Sequence, residues 1–203
     1  VLQLINAFRY RAHQTARLDP LGLRETPAIP ELDLRYHGLT DADLDAVFET
    51  GSLVGPRQAA LREILAQLRA TYAGSVGAEY MHITDTAEKR WLQSSLESVH
   101  GLPTYPPETR RYLLERLTAA EGIEHFLHTK YVGQKRFSLE GGESLIPMLD
   151  ELIQRAGASG TKEVIIGMAH RGRLNVLVNI LGKSPAELFR EFEGKAQSNG
   201  GTG

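Results

Sequence analysis

An α/β fold rich in helix is the class this sequence predicts, and three observations carry it. The β-branched run Val164-Ile165-Ile166 ends in small residues and gives way at once to Leu174, Leu177, Val178 and Leu181 at 3.6-residue spacing, the pattern of a buried strand, a tight turn and a helix. Apolar residues recur at helical spacing in about eight segments, this one included. A lone strand leaves both edges unpaired, so the chain reads as a helix-rich fragment of a larger doubly wound parallel-sheet protein, or as one whose other strands escape periodicity.

In order, residues 2–18 form the first expected helix, with Leu4, Ile5, Phe8 and Ala12 inward and Arg9, Arg11 and Arg17 on other faces. Residues 19–38, punctuated by Pro and Gly, read as an extended loop. Thr40-Asp41-Ala42-Asp43 is a cap for a short helix through Phe48. Residues 51–56 are a connector, and Pro56 starts an amphipathic helix through Leu61, Ile64, Leu65 and Leu68, stopped near Tyr72 by Gly74. Residues 84–88 cap the next helix, whose expected buried face is Trp91, Leu92 and Leu96. A helix starting at Pro106-Pro107-Glu108 continues to Tyr131 with Ile123, Phe126 and Leu127 inside. Residues 144–156 form another, with Pro147 in its first turn and Leu149, Leu152 and Ile153 facing the core. Ser184-Pro185-Ala186-Glu187 caps the last, through Phe192. Residues 195–203, KAQSNGGTG, are a low-complexity tail expected to be flexible.

Composition limits the function classes. The 203 residues are 41% hydrophobic and 24% charged, ordinary for a globular chain able to bury a core. A net charge of −2 with interspersed signs offers no basic stripe, so neither nucleic acid nor a membrane surface is an expected partner. No apolar run approaches the roughly 20 residues of a membrane span. The absence of cysteine excludes disulfides and thiol chemistry and fits a reducing compartment. Without a secretory signal, the bacterial cytoplasm is expected, or the mitochondrial matrix in a eukaryote.

The chemistry concentrates in Gly167-Met168-Ala169-His170-Arg171-Gly172-Arg173, at the carboxyl end of the expected strand. Open α/β sheets bind ligands there. Arginine stays charged and grips carboxylate or phosphate through paired hydrogen bonds, and histidine as a residue type can pass a proton near neutral pH. An anionic ligand held by Arg171 and Arg173 beside His170 is the sharp reading; a solvated turn is the plain one. Gly141-Gly142, opening a helix, permits close approach of backbone or phosphate but lacks the spacing of a nucleotide fingerprint. His82 reads as a hydrogen-bonded packing residue before a helix. Glu124, His125 and His128 lack metalloprotease spacing, and surface histidines are the better account of them.

Several long stretches, GAEYMHITDTAEKRW, TAAEGIEHFL, KRFSLEGGESLIPMLDELI and EVIIGMAHRGRLNVLVNILGK, resemble in sequence and order the N-terminal part of the thiamine-dependent dehydrogenase component of the 2-oxoglutarate dehydrogenase complex. The opening FRYRAHQTARLDPLG and the ELDLRYHGLTDADLD stretch extend the likeness over nearly all of residues 1–194. The resemblance implies a thiamine diphosphate-binding doubly wound fold, with residues 1–134 as a helical N-terminal region and 135–194 as the start of the cofactor domain. It implies decarboxylation of 2-oxoglutarate on thiamine diphosphate and succinyl transfer to the lipoyl arm of a succinyltransferase component within the tricarboxylic acid cycle, by a homodimer. It carries over His170 as an active-site histidine and Arg171 as a diphosphate ligand, with Arg173 beside it. The family's Gly-Asp-Gly metal motif does not occur in this chain, so the Mg²⁺ ligands would lie outside it. 2-Oxoadipate, one methylene longer, is the competing substrate. For the chain by itself, a non-catalytic dimerisation or interaction role is the reading from another class.

Overall fold

Thirteen short elements, nearly all helical, emerge in the computed structural model, which describes residues 1–194. They divide between two units, Val1–Thr104 and Tyr105–Gly203.

In the first unit, α1 (Leu2–Arg11) and α2 (Leu61–Tyr72) lay apolar stripes against each other: Leu4, Ile5, Phe8 and Ala12 meet Leu61, Ile64, Leu65, Leu68 and Tyr72, all buried. Each such side chain withdrawn from water contributes about 1.5–3 kcal/mol, so these stripes and not helix propensity hold the pair. The first helix is shorter than its pattern implies and tightens into a 3₁₀ turn, Ala12–Thr15. Further 3₁₀ turns, Pro30–Leu32 and Leu34–His37, occupy part of the expected loop.

Three sequence expectations fail in this unit. The Thr40 cap is real, with Asp43 Oδ2 accepting from Thr40 N at 2.8 Å, but it opens only a 3₁₀ turn, Asp41–Asp43. Where a helix to Phe48 and a connector were expected, a hairpin forms: β1 (Val47–Glu49) pairs antiparallel with β2 (Gln58–Ala60), Phe48 opposite Ala59. Three-residue strands are too short for a period of two to show. Third, α3 (Thr86–Ser98) begins at the Asp85 cap and packs Leu92 and Leu96 against the core as expected, but Trp91 is 68% exposed while Gln93 and Glu97 are buried. Its rotation is set by Glu97, completely buried, whose Oε1 accepts from Arg9 Nε at 2.8 Å and from Tyr72 OH at 2.7 Å. The Val54 N–H donates to Oε2 at 2.9 Å, and Tyr72 and Tyr80 share a hydroxyl contact at 2.8 Å. Arg9, expected on a face other than the apolar one, is therefore buried as the counter-charge of Glu97. A buried charge is retained only when paired and hydrogen-bonded.

In the second unit, α4 (Pro107–Lys130) starts at the Pro pair and runs without a break, as its sequence predicts. Its inward face is Ala120, Ile123, Glu124 and Leu127; Phe126, expected inside, is 43% exposed and packs on Phe189 with ring centres 4.7 Å apart and planes tilted by 31°. Helix α5 (Leu145–Ala158) buries Ile146 and Pro147 but leaves Leu152 exposed. Ile146 shares a core with Ala120, Leu139 and Val176, the last from α6 (Arg173–Asn179). Leu188, from α7 (Pro185–Phe192), closes a second cluster with Ile123 and Leu127.

The buried strand at residues 164–166 is not formed. Among the described residues none pairs with this run, and Ile165 is 93% exposed. Strand propensity without a ladder partner gives no net stabilisation, because extended backbone has no internal hydrogen bonds of its own. The two-stranded hairpin of the first unit is the sheet present among the described residues. The expected tail, 195–203, lies outside them.

Candidate functional site

The turn that carries His170, Arg171 and Arg173 is built by one glycine and one loop. Gly172 adopts φ +76° as the residue capping α6, a conformation open to glycine at little cost. A Cβ there would also sit 2.7 Å from Leu139 Cδ1. The Arg173 N–H closes the turn by donating to the His170 carbonyl at 3.1 Å. All three predicted side chains are exposed within four residues of one another, so the structure brings them together on one turn.

Residues 137–139 hold that turn from the other side. The Phe137 carbonyl accepts from Gly172 N at 2.9 Å, and the Ser138 carbonyl accepts from Arg171 Nη1 at 2.9 Å. The Phe137 ring stacks on the His170 imidazole, 4.9 Å between centres at 25°. Phe137 itself stands at φ +47°. A bulky residue in the left-handed region carries strain of about 1–3 kcal/mol, which surrounding contacts must offset. Gly142, next along this segment, donates its N–H to the Leu139 carbonyl at 2.7 Å, and a Cβ there would lie 3.3 Å from that oxygen, so Gly142 serves the close packing of its own loop, while Gly141 takes φ +84° with open space at its Cβ position.

Under the loop lies a polar node that the sequence reading did not anticipate. Glu124 is only 3% exposed, and its Oε1 accepts from Leu139 N at 3.0 Å and from Asn175 Nδ2 at 3.2 Å. Asn175, completely buried, also donates to the Ala120 carbonyl at 2.8 Å, and Arg136 Nε stands 3.8 Å from Glu124 Oε2. The signal was present: Ala120, Ile123, Glu124 and Leu127 follow i, i+3, i+4, i+7, which puts the carboxylate on the core stripe. His125 and His128, one and four residues on, are exposed. Among the described residues no three His, Asp or Glu side chains converge as metal ligands.

His82 belongs to the first unit and is exposed in a turn, not packed as expected. Its neighbours Met81 and Ile83 take the partly buried positions, leaving the imidazole outward.

Chemically, two exposed guanidiniums and an imidazole on one turn make a cationic group suited to an anion with several oxygens. No helix among the described residues is long and apolar enough to cross a membrane.

No family model matches the chain. Individual proteins do. Over 196 residues it is 58% identical to the 2-oxoglutarate dehydrogenase E1 component of Azotobacter vinelandii, covering 96% of this chain and 21% of that protein. Identity to the same-named protein of Cupriavidus necator is 56% over 194 residues, 95% of this chain and 20% of the other. The 2-oxoglutarate dehydrogenase E1/E2 component of Corynebacterium glutamicum matches at 49% over 210 residues, 100% of this chain and 17% of that protein. The chain spans about a fifth of the length of the first two of these relatives.

Proposed function

Since nearly the whole chain resembles the N-terminal part of the 2-oxoglutarate dehydrogenase E1 component, we propose that the full-length protein carrying it decarboxylates 2-oxoglutarate with thiamine diphosphate and Mg²⁺. The succinyl group then passes to the lipoyl arm of a succinyltransferase partner, a step of the tricarboxylic acid cycle, in the bacterial cytoplasm and in a homodimer. Residues 1–134 are the helical N-terminal region of this enzyme, and residues 135–194 open its cofactor domain.

The observation that carries the reading is the shared turn of His170, Arg171 and Arg173, with Arg171 steadied by the Ser138 carbonyl. Diphosphate is dense in negative charge and costly to desolvate, and guanidiniums offset that cost with paired, charge-assisted hydrogen bonds. This donor set fits the diphosphate; it does not fit Mg²⁺, whose oxygen ligands belong to residues outside this chain. When bound, thiamine diphosphate supplies the carbon nucleophile and the electron sink that decarboxylation needs. Arg171 and Arg173 bind and orient the diphosphate, while His170, its ring braced by Phe137, orients the substrate and holds or moves a proton at its imidazole nitrogens.

Steady-state assays of the full-length protein on 2-oxoglutarate and 2-oxoadipate, with thiamine diphosphate and Mg²⁺, test this. Higher kcat/KM on 2-oxoglutarate is expected. Preference for the longer acid would reassign the substrate, and no cofactor-dependent turnover of either would overturn the reading.

A further inference from the structure

Arg171 and His170 both lean on residues 137 and 138. Arg171 donates to the Ser138 carbonyl, and His170 stacks on Phe137. Phe137 holds a left-handed backbone conformation that a phenylalanine does not keep unaided. What fixes it is two residues further on, where the Leu139 N–H is anchored to Glu124 at 3.0 Å. The same carboxylate oxygen accepts from Asn175 Nδ2 at 3.2 Å, and Asn175 lies on α6, which follows directly from the His170 turn. One buried oxygen thus joins the loop before the turn to the helix after it.

We propose that Glu124 is a positioning residue for His170, setting the presentation of the imidazole through residues 137–139 and Asn175. The dependence runs in one direction. With Oε1 removed, Leu139 N and Asn175 Nδ2 lose a shared acceptor in a buried place, and a donor left unsatisfied there drives the backbone to find another. The strained Phe137 is then free to relax, and relaxation takes its ring off the imidazole. The Arg136 guanidinium, at 3.8 Å from Oε2, offsets the charge of Glu124 without taking part in the tether. Because both donors share Oε1, glutamine can keep the tether and lose only the charge.

The positioning itself stands apart from what His170 does; its consequence for turnover rests on the function proposed above. The full-length protein, free of thiamine diphosphate, is treated with diethylpyrocarbonate, and carbethoxylation of His170 is followed by peptide mass spectrometry against exposed His82 as an internal reference. In Glu124→Leu the His170 rate is expected to rise several-fold relative to His82, and in Glu124→Gln to stay near that of the native protein. Phe137→Leu, which removes the covering ring while leaving the tether, is expected to raise it too, and guards against misfolding of the leucine variant at position 124. Unchanged His170 reactivity in Phe137→Leu and Glu124→Leu would overturn the proposal, as would Glu124→Gln reacting as fast as Glu124→Leu. In turnover, loosening the imidazole by about 1 Å is expected to lower kcat on the order of a hundredfold. Altered reactivity with native kcat would leave the positioning intact and refute the catalytic reading of His170.

Discussion

Replacing Glu97 by Ala removes the acceptor at the centre of the first unit, and the cost follows from what is left behind. Arg9, 3% exposed, keeps its charge but loses both close contacts to the carboxylate, each at 2.8 Å. Breaking a buried pair in this way costs about 3–5 kcal/mol. The Val54 N–H also loses its partner, worth about 1–3 kcal/mol if it stays buried and dry, whereas Tyr72 keeps its contact to Tyr80. These contributions share one cavity and do not add in full, so a loss of about 3–5 kcal/mol is expected, a large fraction of the 5–15 kcal/mol typical of a domain. Urea unfolding followed by far-ultraviolet circular dichroism reads it; Trp91 fluorescence would not, because that ring is exposed already. Replacing both partners, Arg9→Met with Glu97→Leu, should cost less than Glu97→Ala alone, because no charge is stranded. A loss below about 1 kcal/mol for Glu97→Ala, the range of a solvated surface pair, would refute this account of the α3 rotation.

Further outcomes can be checked by the same method. Gly172→Ala forces φ +76° on a residue with a Cβ and pushes that atom into Leu139, so about 1–2 kcal/mol is lost from the backbone conformation alone; a neutral result would mean the turn relaxes freely. Leu68→Ala empties a completely buried position on α2 and should cost about 2–5 kcal/mol. Ile165→Ser in this chain should change stability by no more than about 0.5 kcal/mol, since the side chain is 93% exposed; a large loss would restore the buried strand. Burial, and then the hydrogen bond to Glu97, hold Tyr72 far above the usual phenol range, and burial raises Tyr80. A raised folded-state pKa favours the protonated form, so this contribution is fully present below the unfolded phenol value of about 10 and is lost as pH rises above it. Melting temperature against pH should fall on the alkaline side of that value, and Tyr72→Phe should flatten the fall.

The helices with wide apolar stripes were legible because burial follows the 3.6-residue period: α2, α4 and the inward residues of α1 stand where Leu, Ile and Phe recur. Polar burial was not legible in the same way. Arg9, Glu97, Glu124 and Asn175 are inside because each finds a partner far away in sequence, 88 residues for Arg9 with Glu97 and 51 for Asn175 with Glu124. Local pattern carries no trace of such pairings except a charged residue on an apolar stripe, as at Glu124. The strand error at residues 164–166 has the same origin, since strand formation depends on a neighbour and not on the run itself. At the candidate site the sequence identified His170, Arg171 and Arg173, but not Phe137, whose contact with His170 comes from backbone strain that residue types do not announce.

His170→Ala in the full-length protein bears most directly on the proposed function. His170 is exposed on its turn, so its removal should open no packing cavity and leave the melting temperature nearly unchanged. Turnover of 2-oxoglutarate at saturating thiamine diphosphate should fall by about 100-fold or more, the scale of a lost acid–base group, whereas Arg171→Ala should lose cofactor affinity first and recover in part with excess thiamine diphosphate. A His170→Ala variant with near-native kcat and a sharply lowered melting temperature would contradict the account and make the imidazole a packing residue for Phe137.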